Sequence, residues 1–289
     1  MFAFVTLVML GDRYVAGAMV LAKSLLMTGT VHDLVCMVTS DVSESAVAKL
    51  KTYYSIKRVE YVQRKCPRML TKRQNQLYSD WISCSFTKWQ CLNMTEYEKI
   101  VYLDADHLVV KNIDHLFASK SAVSVSFWSE YYSCYDNLSQ GDIVTFHQMI
   151  KFMKYNRVLC KTGTVVLTPS KILFEAIQNA IKTSKCFSIA ANRYHNGFDE
   201  QMFVRALIDL RMSVEQLSPM YAWNAGAYFR LKKNTEPFVI NYYGDKKPWY
   251  DDNDDDVKTV RYMDVYIWRY FNLLVKNDMN SSTKIRART

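Results

Sequence analysis

Hydrophobic and polar positions along this chain switch repeatedly between two periods. Ala3–Val8 is a nearly unbroken apolar run of strand length, followed by Tyr14–Met27 with Val15, Ala18, Met19, Ala22, Leu25 and Leu26 at helical spacing. Asp33–Thr39 reads as a second strand. Ser43–Tyr54 is an amphipathic helix with a Ser cap and Glu44 in its first turn. Lys57–Val62 reads as a third strand, Trp81–Leu92 as a helix and Lys99–Leu103 as a buried strand. In the less regular second half, Val123–Phe127, Thr164–Leu167 and Phe238–Asn241 read as strands. Ser170–Lys182, Asp199–Leu210 and Tyr262–Val275 read as helices. Strands alternating with helices predict right-handed βαβ units and an α/β fold with a mainly parallel central sheet flanked by helices. There is no internal repeat and no Pro/Gly/Ser-rich linker. One Rossmann-like domain over residues 1–250 is expected, with 251–289 adding an acidic loop, a helix and a basic tail.

Composition narrows the class. The 289 residues are 49% hydrophobic and 22% charged, which excludes a disordered or low-complexity chain. The formal net charge of +9 is local: residues 57–73 hold seven Lys/Arg against Glu60, and Lys284, Arg286 and Arg288 form a basic tail. Elsewhere 27 basic face 27 acidic residues. No nucleic-acid-binding motif accompanies the charge, so no nucleic-acid partner is expected. Within the basic segment, Arg64, Lys65 and Arg68 are candidates for steering an anionic substrate. The seven cysteines are odd in number and form no CxxC pair, which points to reduced thiols rather than a disulfide framework or structural zinc. MFAFVTLVML lacks a basic leader and is too short to span a bilayer. A cytoplasmic protein with no signal peptide or membrane span is the expectation.

Candidate chemistry begins at IVYLDADHLVV. Here an apolar strand ends at Asp104, Ala105 and Asp106. In an extended segment the two carboxylates point the same way and repel unless a cation lies between them. A hard divalent ion such as Mn²⁺ or Mg²⁺ suits such oxygen ligands and can also hold phosphates; a plain polar turn is the competing reading. By the same alternation His107 falls on the face opposite Asp106, either behind the metal ligands or as a polar core residue. In NYYGDKKPW, Gly244 permits close backbone approach and Lys246 or Lys247 offers a cation to a phosphate. GxGxxG and GxxxxGK[ST] are both missing, so the usual dinucleotide and P-loop signatures do not apply. The run DDNDDD at 251–256 lacks an EF-hand glycine and reads as a solvated loop.

These features recur together in glycosyltransferase family 8, the glycogenin and galactinol synthase group, which the chain resembles over roughly residues 2–250. FVTL, Tyr14 and GAMVLAKSL resemble that family's first strand and helix, Thr87-Lys88-Trp89 its TK segment, and Tyr102–Asp106 its YLDAD strand. IDHLF at 113–117 resembles the segment after the metal motif, and NYYGDKKPW its HxxGxxKPW. The resemblance implies a GT-A fold that binds a UDP-sugar with Mn²⁺ (or Mg²⁺) and transfers a hexose with retention, from UDP-glucose or UDP-galactose. It implies that Asp104 and Asp106 ligate the metal, with Ala105 between them at the nucleotide. Gly244 and Lys247 would contact the diphosphate, Lys88 the nucleotide or its phosphates, and Tyr14 the uracil. Glu200 and Gln201 match the D/E-Q pair that faces the donor sugar; the competing reading is that Asp199 and Glu200 open a predicted helix and serve only its positive dipole end. The acceptor is an unknown hydroxyl on a sugar, a polyol or a protein tyrosine, Tyr228 being a candidate. A homodimer is a further expectation.

Two departures mark a divergent member and suggest a viral, baculovirus-type one. Asn241 stands where the family has its third metal ligand, a histidine, which predicts weaker or more Mg²⁺-tolerant binding. Lys161-Thr162-Gly163 replaces N-[SA]-G, so Lys161 stands in place of an Asn that contacts the sugar; a solvent-facing Lys161 is the ordinary alternative. The departures also motivate a second reading, a catalytically weakened nucleotide-sugar-binding or partner-binding module.

Overall fold

The computed structural model describes residues 1–66, 72–128, 135–154, 160–183, 198–227, 236–244, 247–250 and 263–286. Arg68, Tyr228, Lys246 and the acidic run 251–256 lie outside the described residues. The strands are β1 (Phe2–Val8), β2 (Asp33–Val38), β3 (Ser55–Arg58), β4 (Lys99–Leu103), β5 (His107–Val109) and β6 (Val123–Phe127). They continue with β7 (Ile143–Val144), β8 (Cys160–Leu167), β9 (Val214–Gln216), β10 (Trp223–Asn224) and β11 (Val239–Asn241). The α-helices are α1 (Val15–Met27), α2 (Glu44–Leu50), α3 (Lys72–Tyr78), α4 (Phe146–Lys154), α5 (Lys171–Thr183), α6 (Phe198–Asp209) and α7 (Met263–Arg286). Among the described residues an eight-stranded sheet runs β3-β2-β1-β4-β8-β6-β9-β7, and a second sheet runs β10-β11-β5. β2–β3, β1–β4 and β6–β9 are parallel, while β8 runs against both its neighbours β4 and β6. The α/β class with a central sheet and flanking helices agrees with the sequence reading.

The chain divides into two compact units. The first comprises Met1–Val5, Val59–Leu103 and His115–Pro219. Its core stacks Trp89 on Phe203 with ring centroids 4.2 Å apart, and Phe2 on Phe117 at 5.1 Å. Both central strands β4 and β6 are buried along their whole length; β4 is an apolar run after Lys99, whereas β6 alternates apolar residues with the buried Ser124 and Ser126.

Two predicted elements differ here. Residues Ile82–Asn93 form a 3₁₀ run, not the expected α-helix. The Ser85 hydroxyl bonds back to the Ile82 carbonyl at 2.9 Å, and Ser, Thr, Cys and aromatic residues crowd the run, so the α-helical ladder has strong local competition. The third strand ends at Arg58 and not at Val62, because the following backbone bonds elsewhere. Val62 donates to the Thr87 hydroxyl at 3.1 Å and Arg64 to the Ser83 carbonyl at 2.9 Å.

The second unit comprises Thr6–Arg58, Asp104–Asp114 and Met220–Thr289. Ser43 caps α2 by accepting from the Ala46 amide at 3.1 Å, as its position predicted. Ser24 on α1 accepts the Val109 amide of β5 at 3.0 Å. Lys23 of α1 meets Asp278 of α7 at 2.8 Å, and the Tyr53 hydroxyl bonds the same carboxylate. The closing helix runs past Val275 to Arg286. No helix among the described residues is long and apolar enough to cross a membrane.

Candidate active site

Asp104, Asp106, His107, Asn241, Gly244, Lys247, Tyr14 and Trp249 all belong to the second unit. β4 ends at Leu103, and the chain turns through Asp104–Asp106 before entering β5, with the His107 amide donating to the Asp104 carbonyl at 3.1 Å. The turn replaces the expected extended geometry, because β5 pairs in a different sheet from β4. It also corrects the direction expected for His107 while bearing out its place as a buried polar residue. Instead of facing away, its ring nitrogen and the carboxylate oxygens of Asp104 and Asp106 all lie within 4.8 Å of one another, and the residue is 1% exposed.

The small sheet aligns the second half of the site with this turn. β11 is antiparallel to β5 with Asn241 opposite His107, and the Tyr242 amide donates to the Asp106 carbonyl at 3.0 Å. The Asn241 amide nitrogen donates to Oδ1 of Asn224 on β10 at 3.2 Å, which leaves the amide oxygen as its ligand-competent atom. Gly244 has φ +102, in the left-handed region that favours glycine.

Lys247 is buried, and its Nζ donates to Oδ2 of Asp106 at 2.6 Å and to the Tyr242 carbonyl at 2.8 Å. Burial alone would push the Asp106 carboxyl up, but the charges of Lys247 and His107 and the Lys247 hydrogen bond outweigh it and hold the group below its ordinary value. Burial would likewise lower Lys247, yet Asp106 and Tyr14 hold its ammonium above the usual value. The Lys247 ammonium also lies 5.8 Å from the Tyr14 ring centroid. Tyr14 meets Trp249 edge-on at 5.3 Å, and burial pushes its phenol up to about 12. Tyr14 is therefore a neutral aromatic wall at physiological pH.

Sequence reasoning missed the residue that lets these parts meet. A methyl group on Gly17 of α1 would collide with the Ala105 carbonyl oxygen and come within 2.9 Å of the Trp249 ring. A glycine inside a helical pattern was the available signal.

Lys88, Lys161, Thr162, Glu200 and Gln201 belong to the first unit. Lys88 is nearly buried, 3.3 Å from Asp199 Oδ2 and 3.3 Å from the Thr162 hydroxyl, which itself donates to Asp199 at 3.2 Å. Asp199, read from sequence as a helix-opening acid, is thus the counter-charge of Lys88. Glu200 and Gln201 sit in the first turn of α6, where the Glu200 carboxylate accepts the Thr162 amide at 3.5 Å. Lys161 is half-buried and not solvent-facing; its ammonium lies 4.3 Å from the Trp128 ring centroid. Burial pushes the Lys161 ammonium down to about 8, and the Glu200 charge offsets this only in part.

The chain is similar to several known proteins. Inositol phosphorylceramide glucuronosyltransferase 1 of Arabidopsis thaliana is 26% identical over 264 residues, 86% of this chain and 42% of that protein. Glycogenin-1 of Homo sapiens is 32% identical over 151 residues, 51% of this chain and 42% of that protein. A protein of Acanthamoeba polyphaga mimivirus is 40% identical over 117 residues, 40% of each chain, so a viral relative exists. The chain spans about two fifths of the length of these curated relatives. Among solved structures, the galactosyltransferase LgtC in complex with donor and acceptor sugar analogs superposes with a TM-score of 0.57 at 15% identity, covering 95% of both chains. That likeness shows the GT-A fold. The sequence model of Glycosyl transferase family 8 matches residues 5–253, and the chain belongs to that family.

Proposed function

We propose that the chain is a metal-dependent, retaining glycosyltransferase that moves a hexose from UDP-glucose or UDP-galactose to a hydroxyl acceptor. The observation that carries this reading is the Lys247–Asp106 pair beside Asp104 and His107: a buried lysine next to a compact set of oxygen and nitrogen donors. Two carboxylates and an imidazole within 4.8 Å fit Mn²⁺ (or Mg²⁺), which Asp104 and Asp106 would hold, with Asn241 as the third ligand that the family pattern alone assigns. When bound, such an ion would neutralise charge developing on the UDP leaving group.

The chain's own groups supply the rest of the chemistry. Lys247 is a cation for the diphosphate, Gly244 brings its backbone close, and Tyr14 offers a flat face to the uracil. Ala105 lies at the nucleotide between the two carboxylates. Lys88, oriented by Asp199, is a second cation for the nucleotide, and Glu200 and Gln201 face the donor sugar. Retention has two routes. In the front-face route the leaving phosphate takes the acceptor's proton; the covalent route needs a carboxylate such as Glu200. Near-normal turnover of Glu200→Gln would remove Glu200 as a nucleophile. The odd number of cysteines and the lack of a CxxC pair in the sequence support a cytoplasmic location.

A second reading of the donor is favoured by Lys161, a half-buried cation where the family pattern has Asn. A sugar carrying a carboxylate would suit it, and a relative that aligns along 86% of this chain is named a glucuronosyltransferase. The test is UDP release with Mn²⁺ across UDP-glucose, UDP-galactose and UDP-glucuronate, followed by intact-mass measurement for self-modification. No release with any donor would favour a nucleotide-sugar-binding module.

A further inference from the structure

We propose that His107 is the imidazole ligand of the metal site in this chain, replacing from β5 the histidine that the family pattern places at position 241. The proposal rests on the metal reading above and concerns which side chain supplies the nitrogen.

The antiparallel ladder carries the argument. Asn241 and His107 are direct register partners across β11 and β5. Cross-strand partners on one face have Cβ atoms about 5 Å apart, so a ligand moved from one to the other can still address the same small volume. The turn at Asp104–Asp106 completes the exchange, bringing the His107 ring to the two carboxylates instead of the opposite face. At 1% exposure this imidazole is sequestered from solvent beside two acids. Asn241 meanwhile directs its amide nitrogen along its own sheet to Asn224. The donors Asp104, Asp106 and His107 therefore come from four consecutive residues, with β11 as a backing strand.

The consequence reverses the expectation drawn from Asn241 alone. An imidazole nitrogen is a borderline donor that favours Mn²⁺ over Mg²⁺, whereas an all-oxygen set does not. His107→Asn should weaken Mn²⁺ binding about tenfold or more while changing Mg²⁺ binding little, and Asn241→Ala should have the smaller effect on Mn²⁺.

The test is electron spin echo envelope modulation of Mn²⁺ bound to the full chain without nucleotide, which reads nitrogen coordination directly. The expected result is imidazole ¹⁴N modulation in the wild-type chain and in Asn241→Ala, and its loss in His107→Asn and His107→Gln. Bound Mn²⁺ without nitrogen modulation in the wild-type chain, or modulation that survives both His107 substitutions, would overturn the proposal while the metal reading stands. Failure to bind Mn²⁺, or binding indifferent to Asp104→Asn and Asp106→Asn, would overturn both. The wild-type spectrum alone decides if a variant fails to fold.

Discussion

The Lys247 ammonium stands 2.6 Å from the Asp106 carboxylate, with the two side chains only 6% and 16% exposed. Each charge stabilises the other in a place where either alone would be driven towards neutrality. The same lysine packs near the Tyr14 ring, which Trp249 braces, so one ion pair couples the electrostatics and the aromatic wall of the site.

Lys247→Met leaves the Asp106 charge without that partner and should cost about 3–5 kcal/mol in urea unfolding. The double variant with Asp106→Asn should recover about 1–3 kcal/mol of the summed single effects. Asp106 is held below 3.8, so its share is fully present above that pH and lost as pH falls through the lower folded value. Lys247 is held above 10.5, so its share is present below that pH and lost as pH rises through the higher folded value. The coupling should therefore be constant from pH 5 to 9 in repeated unfolding curves.

Gly17→Ala is a test in which propensity and packing have opposite signs. Helix propensity alone predicts stabilisation by about 1 kcal/mol. The methyl would instead meet a backbone carbonyl at Ala105 and the Trp249 ring, an overpacking that costs about 1–3 kcal/mol or more. A lower melting temperature is expected; a higher one would mean the turn is not closely packed on α1.

Lys161 predicts a pH-dependent gain on substitution. Its folded value of about 8 lies below the ordinary 10.5, so the unfolded chain binds more protons between those limits and wild-type stability rises with pH across them. The penalty is fully present below pH 8. Lys161→Met should be more stable than wild type at pH 7, and the gap should close as pH rises from 8 to 10.5. A gap independent of pH would show that Lys161 carries no burial penalty.

The basic segment predicts a salt-dependent effect on the donor. Arg58 is already met by Glu44 at 2.5 Å, whereas Lys65 is exposed. Lys65→Glu should raise the donor KM a few-fold at low salt and little at 0.5 M NaCl, where screening is nearly complete. Equal KM values at low salt would leave the segment as solubilising surface.

Legibility in the sequence followed burial and length. Lys99–Leu103 is legible to its end residues because a strand buried on both faces appears as an apolar run, and Val123–Phe127 because its Val-Ser-Val-Ser-Phe alternation has the period of a strand. The sheet of β10, β11 and β5 was not seen as a sheet, since strands of two or three residues carry no usable period. Local motifs located Tyr14, Asp104, Asp106, Gly244 and Lys247, and the fold gathers them in one unit. What spacing could not show was direction: the turn that swings His107 towards the acids, the bond that ties Lys88 to Asp199, and the glycine that admits Trp249. Each depends on partners distant in sequence or on a backbone turn, and neither leaves a periodic trace.

The central claim is that Asp104, Asp106 and Lys247 form a metal-assisted diphosphate site. Calorimetric titration of UDP into the protein, with Mn²⁺ or with EDTA, tests it most directly. The account predicts that UDP binds with Mn²⁺, that EDTA weakens binding at least about tenfold, and that Asp104→Asn or Lys247→Met does the same in the presence of Mn²⁺. Equal UDP affinity with and without Mn²⁺, and in both variants, would contradict it.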